Sequence, residues 1–364
     1  MKTALNITLL ASALLLALLS SLAPASAAET EVFRWTRDGK KIRETSRERI
    51  ITEDYSSITY EGLGRQSRND IIFVLYNNDL YYTAAEKRFN DGEYRAAIPE
   101  FKKALEKGRK EWVQWYARFR LGQIYQFLGD AKTALKYYKE LNEKYPKNPF
   151  YPQVNVNMAR IYIIKGNFDA AQKLLKEVIN RRRDFMVCWV EKAQVMLGNI
   201  YLFKRDFKAA ERYFKSIEPR LTYKDLKMEA RFGLGKCLEE KGRMNKDVRS
   251  VKAAIKVYEN IASQYHPLSL IKAYAYIARC YYNLNDFEKA YWYGLRGGLL
   301  FLKEYPGTSA ESLFYALKAL YALYNAETDA DKKKFYGENI ILIKRLFRSE
   351  LFGQKFAVMG LNLK

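Results

Sequence analysis

The chain has 364 residues, a formal net charge of +22 and a single histidine, with 29 tyrosines and 20 phenylalanines. One histidine excludes histidine-based catalytic triads and multi-histidine metal sites by count alone. Three cysteines, Cys188, Cys237 and Cys280, are too few and too far apart to staple a fold.

The N-terminus reads MKTALNITLLASALLLALLSSLAPASA, with one positive charge at Lys2, an apolar run from Ile7 to Leu22 and small residues at Ala25 and Ala27. This pattern predicts a secretory signal peptide over residues 1–27, cleaved before Ala28. An uncleaved membrane anchor is the alternative, and the run is just long enough for it. The expected location is exported: periplasmic in a two-membrane envelope, otherwise extracytoplasmic. No later stretch is long and apolar enough to span a bilayer, so the mature chain is not expected to be an integral membrane protein.

Residues 28–77 carry nine Lys/Arg and nine Asp/Glu, so the basic excess lies beyond them. Asp38-Gly39 is a hairpin turn signal, Ile58 and Tyr60 alternate with polar neighbours, and Ile71 to Tyr76 form a compact apolar run. Four or five short strands in a small barrel or meander are expected here. They would dock on the first repeat, as a cap or as a separate partner-binding module.

Beyond residue 77 a pattern recurs. Gly122, Tyr125, Gly129 and Ala134 return as Ala159, Tyr162, Gly166 and Ala171, then as Gly198, Tyr201, Arg205 and Ala210. Gly235 and Gly242 begin a further copy, interrupted by a basic insertion from Arg243 to Ser250 and resumed at Ala254. Ala278, Tyr281, Asn285 and Ala290 complete the last copy, and Ala85, Gly92 and Ala97 supply the first. Each copy predicts two helices joined by a tight turn, the small residues letting them approach closely. A lone hairpin cannot bury its apolar face, so six copies over residues 78–308 imply a stack of hairpins.

The pattern resembles the tetratricopeptide repeat, most clearly in LGQIYQFLGDAKTALKYYKELNEKYP, Leu121 to Pro146. The resemblance implies a mainly α fold, a right-handed solenoid of helical hairpins behind a small N-terminal β domain. The inter-repeat segments EKYPKNPFYPQ and KEYPGTSAESLFYAL look like linkers of exported bacterial proteins of this type. Departures stand at Arg205 and Asn285, where the turn glycine is absent, and at Gly294, where an aromatic is expected. Residues 309–364 should hold two capping helices, Ser309 to Asn325 and Ala330 to Phe347, and a tail.

The same resemblance implies a concave face lined by the first helix of each repeat. The residue after the small one would line it, at Glu86, Gln123, Arg160, Asn199, Lys236 and Arg279. Flanking aromatics Tyr82, Phe89, Phe119, Phe232 and Tyr282 are candidate hot-spot residues, with ordinary packing between repeats as the other reading of each. His266 falls in an inter-repeat turn, Glu239-Glu240 read as a solvated helix face, and no glycine-rich phosphate loop appears. Cys237 and Cys280 occupy equivalent repeat positions and should be buried thiols, with Cys188 the candidate for a reactive one. No enzyme activity, metal or cofactor is expected. Two functions remain: a scaffold gripping an acidic protein or peptide in the cell envelope, or a binder of polyanions and anionic envelope surfaces acting through diffuse charge, with no specific nucleic-acid target.

Overall fold

The computed structural model describes residues 30–35, 41–46, 50–68, 71–76, 79–264 and 266–348. The signal segment, the Asp38-Gly39 turn and the C-terminal tail lie outside the described residues. Contacts divide the chain into two compact units, Met1–Leu197 and Gly198–Lys364.

The first unit begins with six strands rather than four or five: β1 Thr30–Trp35, β2 Lys41–Ser46, β3 Ile50–Glu53, β4 Ser57–Tyr60, β5 Gly64–Ser67 and β6 Ile71–Tyr76. They form two three-stranded antiparallel sheets, ordered β2-β1-β6 and β3-β4-β5. The second sheet is a meander. The first takes β6 from the far end of the module, pairing Thr30 with Tyr76. Strand β5 reads GRQS and is largely exposed, so it carries none of the apolar alternation by which a strand is recognised in sequence.

Fourteen helices follow among the described residues, pairing in sequence as seven hairpins. In the first unit these are α1 Leu80–Asn90, α2 Tyr94–Lys107, α3 Glu111–Phe127, α4 Ala131–Lys144, α5 Tyr151–Ile164 and α6 Phe168–Asn180. Helix α7, Val187–Phe203, spans the division between units. The second unit continues with α8 Phe207–Ile217, α9 Lys224–Asn245, α10 Val248–Ala262, α11 Pro267–Asn283, α12 Phe287–Leu299, α13 Pro306–Ala326 and α14 Ala330–Arg348.

Five of the seven hairpin turns share one chemistry. A residue in the left-handed region ends the first helix, and Asp or Asn caps the second by accepting a backbone N–H. Gly129, Gly166, Arg205, Lys246 and Asn285 all have positive φ. Asp130, Asn167, Asp206, Asp247 and Asp286 follow them, accepting from Thr133, Ala170, Ala209, Arg249 and Lys289 at 3.0–3.3 Å. The missing turn glycines at Arg205 and Asn285 therefore change the residue and not the turn.

The basic insertion is resolved in a different way from the one the repeat pattern suggests. Gly242 is not the turn; α9 runs on to Asn245 and the left-handed residue is Lys246. Gly242 lies buried in the helix, where a β-carbon would stand 2.5 Å from Val251 Cγ2. The extra residues lengthen a helix instead of forming a loop.

The small residues admit rings from the second helix. A β-carbon on Gly122 or Gly235 would collide with the Tyr138 or Tyr258 ring, and one on Gly198 would lie 2.6 Å from the Phe214 ring. At Gly294, in the place of these aromatics, a β-carbon would lie 2.7 Å from Ala316 N and 2.8 Å from Ser312 O. There α12 packs backbone-close on α13, so the ring is replaced by the neighbouring helix itself.

Candidate functional site

The expected binding row falls into two sets, one per unit. In the first unit the β module covers the first helices of the repeats. Phe73 of β6 lies 5.0 Å from the Tyr116 ring and 6.0 Å from Phe150, and Tyr76 stacks on Trp112 at 4.4 Å and 12°. Tyr55 packs on Tyr151 and Phe185, and its hydroxyl accepts from Arg181 at 2.8 Å. Ile58, Tyr60, Ile71, Val74 and Tyr76 belong to one apolar core with residues of α1 to α5.

A polar network closes this junction. Glu53 and Arg68 form a buried ion pair, 5% and 2% exposed, and the hydroxyls of Tyr76 and Tyr116 donate to the Glu53 carboxylate at 2.6 and 2.9 Å. Burial lowers the Arg68 pKa and pushes the Tyr116 phenol up to about 12. Behind it, Arg120 lies between Phe73 and Phe89, 4.4 and 4.3 Å from their centroids, and is ion-paired with Glu86.

This arrangement overturns several expected site residues. Tyr82, Phe89 and Phe119 are buried core rings, and Glu86 is consumed by Arg120 and by the Tyr82 hydroxyl at 2.9 Å. Gln123 is half-buried and accepts from Arg120 at 2.9 Å. Arg160 is half-buried on α5. Helical spacing places a ring on a face, but what covers that face is decided by neighbouring helices, Phe101, Trp112 and Tyr116 against Tyr82 and Phe150 against Phe119.

The second unit differs. On α9 and α11, Lys236 Nζ lies 5.3 Å from the Tyr276 ring centroid, Lys272 Nζ 4.8 Å from that of Phe232, and Arg279 Cζ 4.5 Å from that of Tyr276. Arg279 donates to Glu239 at 2.5 and 2.8 Å and lies 3.6 Å from Glu311 of α13. Glu239 is therefore not a solvated residue: it is 2% exposed on its side chain and also accepts from the Tyr258 hydroxyl at 3.1 Å. Burial opposes the Arg279 charge, and Glu239 more than offsets it, raising the guanidinium pKa. Burial lowers the Lys236 pKa, with repulsion from Lys272 and Arg279 adding to it.

Of the expected residues here, Lys236, Arg279 and Tyr282 are half-buried on this face, Asn199 is half-buried on α7, and Phe232 is 6% exposed, the floor rather than a protruding anchor. Tyr282 carries Lys318 Nζ 4.6 Å from its ring. Sequence reasoning missed Lys272, Tyr276 and Glu311. The signal was present in part, because Lys272, Tyr276 and Arg279 follow the i, i+4, i+7 spacing of one helix face.

The cysteines are free thiols, Cys237 and Cys280 buried. Burial pushes both Cys188 and Cys237 up to about 12 and raises Cys280 as well, which opposes thiolate chemistry at neutral pH. His266 is exposed at the N-cap of α11. Among the described residues no cluster of His, Cys, Asp and Glu could hold a metal, and no helix is long and apolar enough to cross a membrane.

Three tetratricopeptide-repeat families match the chain, over residues 82–149, 128–185 and 191–217. The chain contains tetratricopeptide repeats. Its helical hairpins also match solved repeat structures. The C-terminal part of a TPR repeat-containing protein from Cytophaga hutchinsonii is 17% identical with a TM-score of 0.52, over 78% of this chain and 100% of that one. A tetratricopeptide repeat protein from Parabacteroides merdae is 15% identical with a TM-score of 0.47, over 72% and 97%. Pseudomonas aeruginosa PilF is 19% identical with a TM-score of 0.46, over 65% and 96%. At 17% identity the likeness to the Cytophaga hutchinsonii structure is one of fold. No curated protein sequence matches the chain. Tetratricopeptide repeats are in general non-catalytic protein-interaction modules, and the fold is that of an interaction scaffold.

Proposed function

We propose that this tetratricopeptide-repeat protein is a non-catalytic scaffold, exported to the cell envelope, that binds an acidic protein partner on the first-helix face of its second unit. The observation that carries the reading is the contrast between the two faces. In the first unit β6 and its aromatic neighbours cover the first helices, whereas in the second Lys236 and Lys272 are partly accessible beside aromatic rings. Partly accessible cations over rings supply both attraction and desolvated contact area to a partner.

The competing reading, a polyanion or envelope-surface binder, draws on the net charge of +22. The two differ in salt response, since diffuse attraction is screened over about 8–10 Å near physiological ionic strength. The full chain, immobilised, should retain discrete proteins from its host's envelope extract at physiological salt, and the Lys236→Glu variant should lose them. Heterogeneous acidic material washing equally from both proteins would overturn the scaffold reading. Export is tested by fractionation with N-terminal sequencing, and a mature chain starting at Ala28 is expected.

A further inference from the structure

Three of the earlier second helices turn a wholly polar surface to solvent. Every exposed residue of α4, α6 and α8 is polar or charged, Lys132 and Lys136, Lys173 and Lys176, Arg212 and Lys215 among them. The last second helix, α14, differs: Phe335 is 46% exposed, Ile341 53% and Leu342 56%. Its inward side is fixed. Tyr336, Ile340, Ile343 and Leu346 join an apolar core with α12 and α13, and the Tyr291 hydroxyl donates to Asn339 Oδ1 at 3.3 Å. The outward face therefore carries Lys334, Phe335, Glu338, Ile341, Leu342 and Arg345, all exposed. Trp292 of α12, 57% exposed, extends the apolar surface across a groove that it lines with Phe335, Leu323 and Tyr336. A stack of helical hairpins is kept soluble by a polar outer face on its last member, and an apolar one marks a contact with a further layer.

We propose that α14 is the contact helix of a homodimer, in which two copies of the chain pair these helices antiparallel about a twofold axis between Ile341 and Leu342. The charges select both the partner and the direction. With the axis there, Glu338 of each copy stands beside Arg345 of the other, three residues from the axis on either side, and each Ile341 meets the other copy's Leu342. The same patch serves both copies, as a twofold interface requires. Parallel pairing would instead set Glu338 against Glu338 and Arg345 against Arg345, like charges in apposition. A purely apolar partner would bury both charges without answering them, which is costly. An anionic surface would meet the carboxylates of Glu338 and, at the groove, of Glu288 and Asp331. A second copy answers each exposed charge near the axis with its opposite, and does so twice. The pairing does not rest on the scaffold reading and goes beyond it: a dimer carries two copies of every surface the chain binds with, so a partner with repeated segments is held by avidity.

Sedimentation equilibrium on the chain purified from its host, from about 1 to 100 μM, tests the pairing over the range in which modest interfaces associate. The parent should be a reversible dimer. Ile341→Asn/Leu342→Asn should be monomeric over the same range and keep the far-UV helical signal, since both residues are exposed. Glu338→Arg and Arg345→Glu should each weaken pairing on the order of tenfold. The exchange Glu338→Arg/Arg345→Glu should restore it to within about threefold of the parent, a recovery that damage to the fold does not produce. A chain ended after Arg348 should pair as the parent does. A parent monomeric at every concentration, a dimer indifferent to Ile341 and Leu342, or charge reversals that the exchange does not rescue would overturn the proposal. So would a monomeric parent whose shortened form dimerises, because residues 349–364 would then be the occupant of this face. Each of these results leaves the scaffold reading standing, which is decided by the envelope-extract experiment.

Discussion

Lys236 is a residue whose charge the fold opposes. Burial, then Lys272 and Arg279, hold its pKa below the ordinary lysine value. At neutral pH the ammonium is therefore destabilising, as expected of a group positioned for contact rather than for the stability of the free protein. Lys236→Met should raise the melting temperature at pH 7. In the parent, the folded state loses this proton at lower pH than the unfolded chain, so parent stability rises with pH between the lowered folded value and the unfolded value of 10.5. The advantage of methionine should accordingly shrink through that window, and melting curves from pH 7 to 11 would show it.

Glu53 poses the opposite case, a buried charge whose partners are all present. Glu53→Ala leaves Arg68 without its counter-ion at 2% exposure, and the loss should be about 3–5 kcal/mol. The double variant Glu53→Leu/Arg68→Met should recover much of it, because an apolar pair leaves no charge stranded. Chemical denaturation followed through Trp112, which stacks on Tyr76, reports on this junction.

At the scale of the element, the turn and the close approach of helices set which residues are tolerated. Arg205 adopts φ 59°, a conformation unfavourable to a residue with a β-carbon, whereas Asn285 at φ 60° is of a type that enters this region more readily. Arg205→Gly should stabilise by about 0.5–1 kcal/mol, and Asn285→Gly by less, in urea titrations. At Gly294 the constraint is the neighbouring backbone of α13. Gly294→Ala should cost about 1–3 kcal/mol, because neither Ala316 N nor Ser312 O can yield as a flexible side chain does.

At the scale of the whole molecule, the β module acts as an occupant of the first unit's helices. Its rings and the Glu53 network cover Tyr116, Trp112 and Phe150. Removal of residues 28–77 should leave the far-UV helical signal and increase binding of an apolar-surface dye. A truncated chain binding no more dye than the parent would contradict that packing. The charge pattern follows the same division, since the module is balanced within its own sequence and the basic excess belongs to the helices.

The helical repeat was legible in the sequence because it is built from local chemistry. Small residues at helix crossings, turn glycines and the 3.6-residue period each act over a few positions, and copies at a regular interval reinforce one another. The turn at Lys246 was not readable, because Gly242 mimics it four residues early while serving a helix contact instead. The candidate site was legible only in part. Lys236 and Arg279 follow from repeat position, but whether a charge is free depends on distant partners: Arg279 meets Glu239 40 residues away and Arg120 meets Glu86 34 residues away. The sequence by itself determined the helical hairpins and most of their turns, the one at Lys246 excepted, through local propensity and period. The tertiary structure alone decided that Tyr82, Phe89 and Phe119 are core, that β6 packs on the first helices, and that Arg279 pairs with Glu239 and Glu311 in the second unit. Burial and pairing belong to surfaces brought together from far along the chain, which no local pattern encodes.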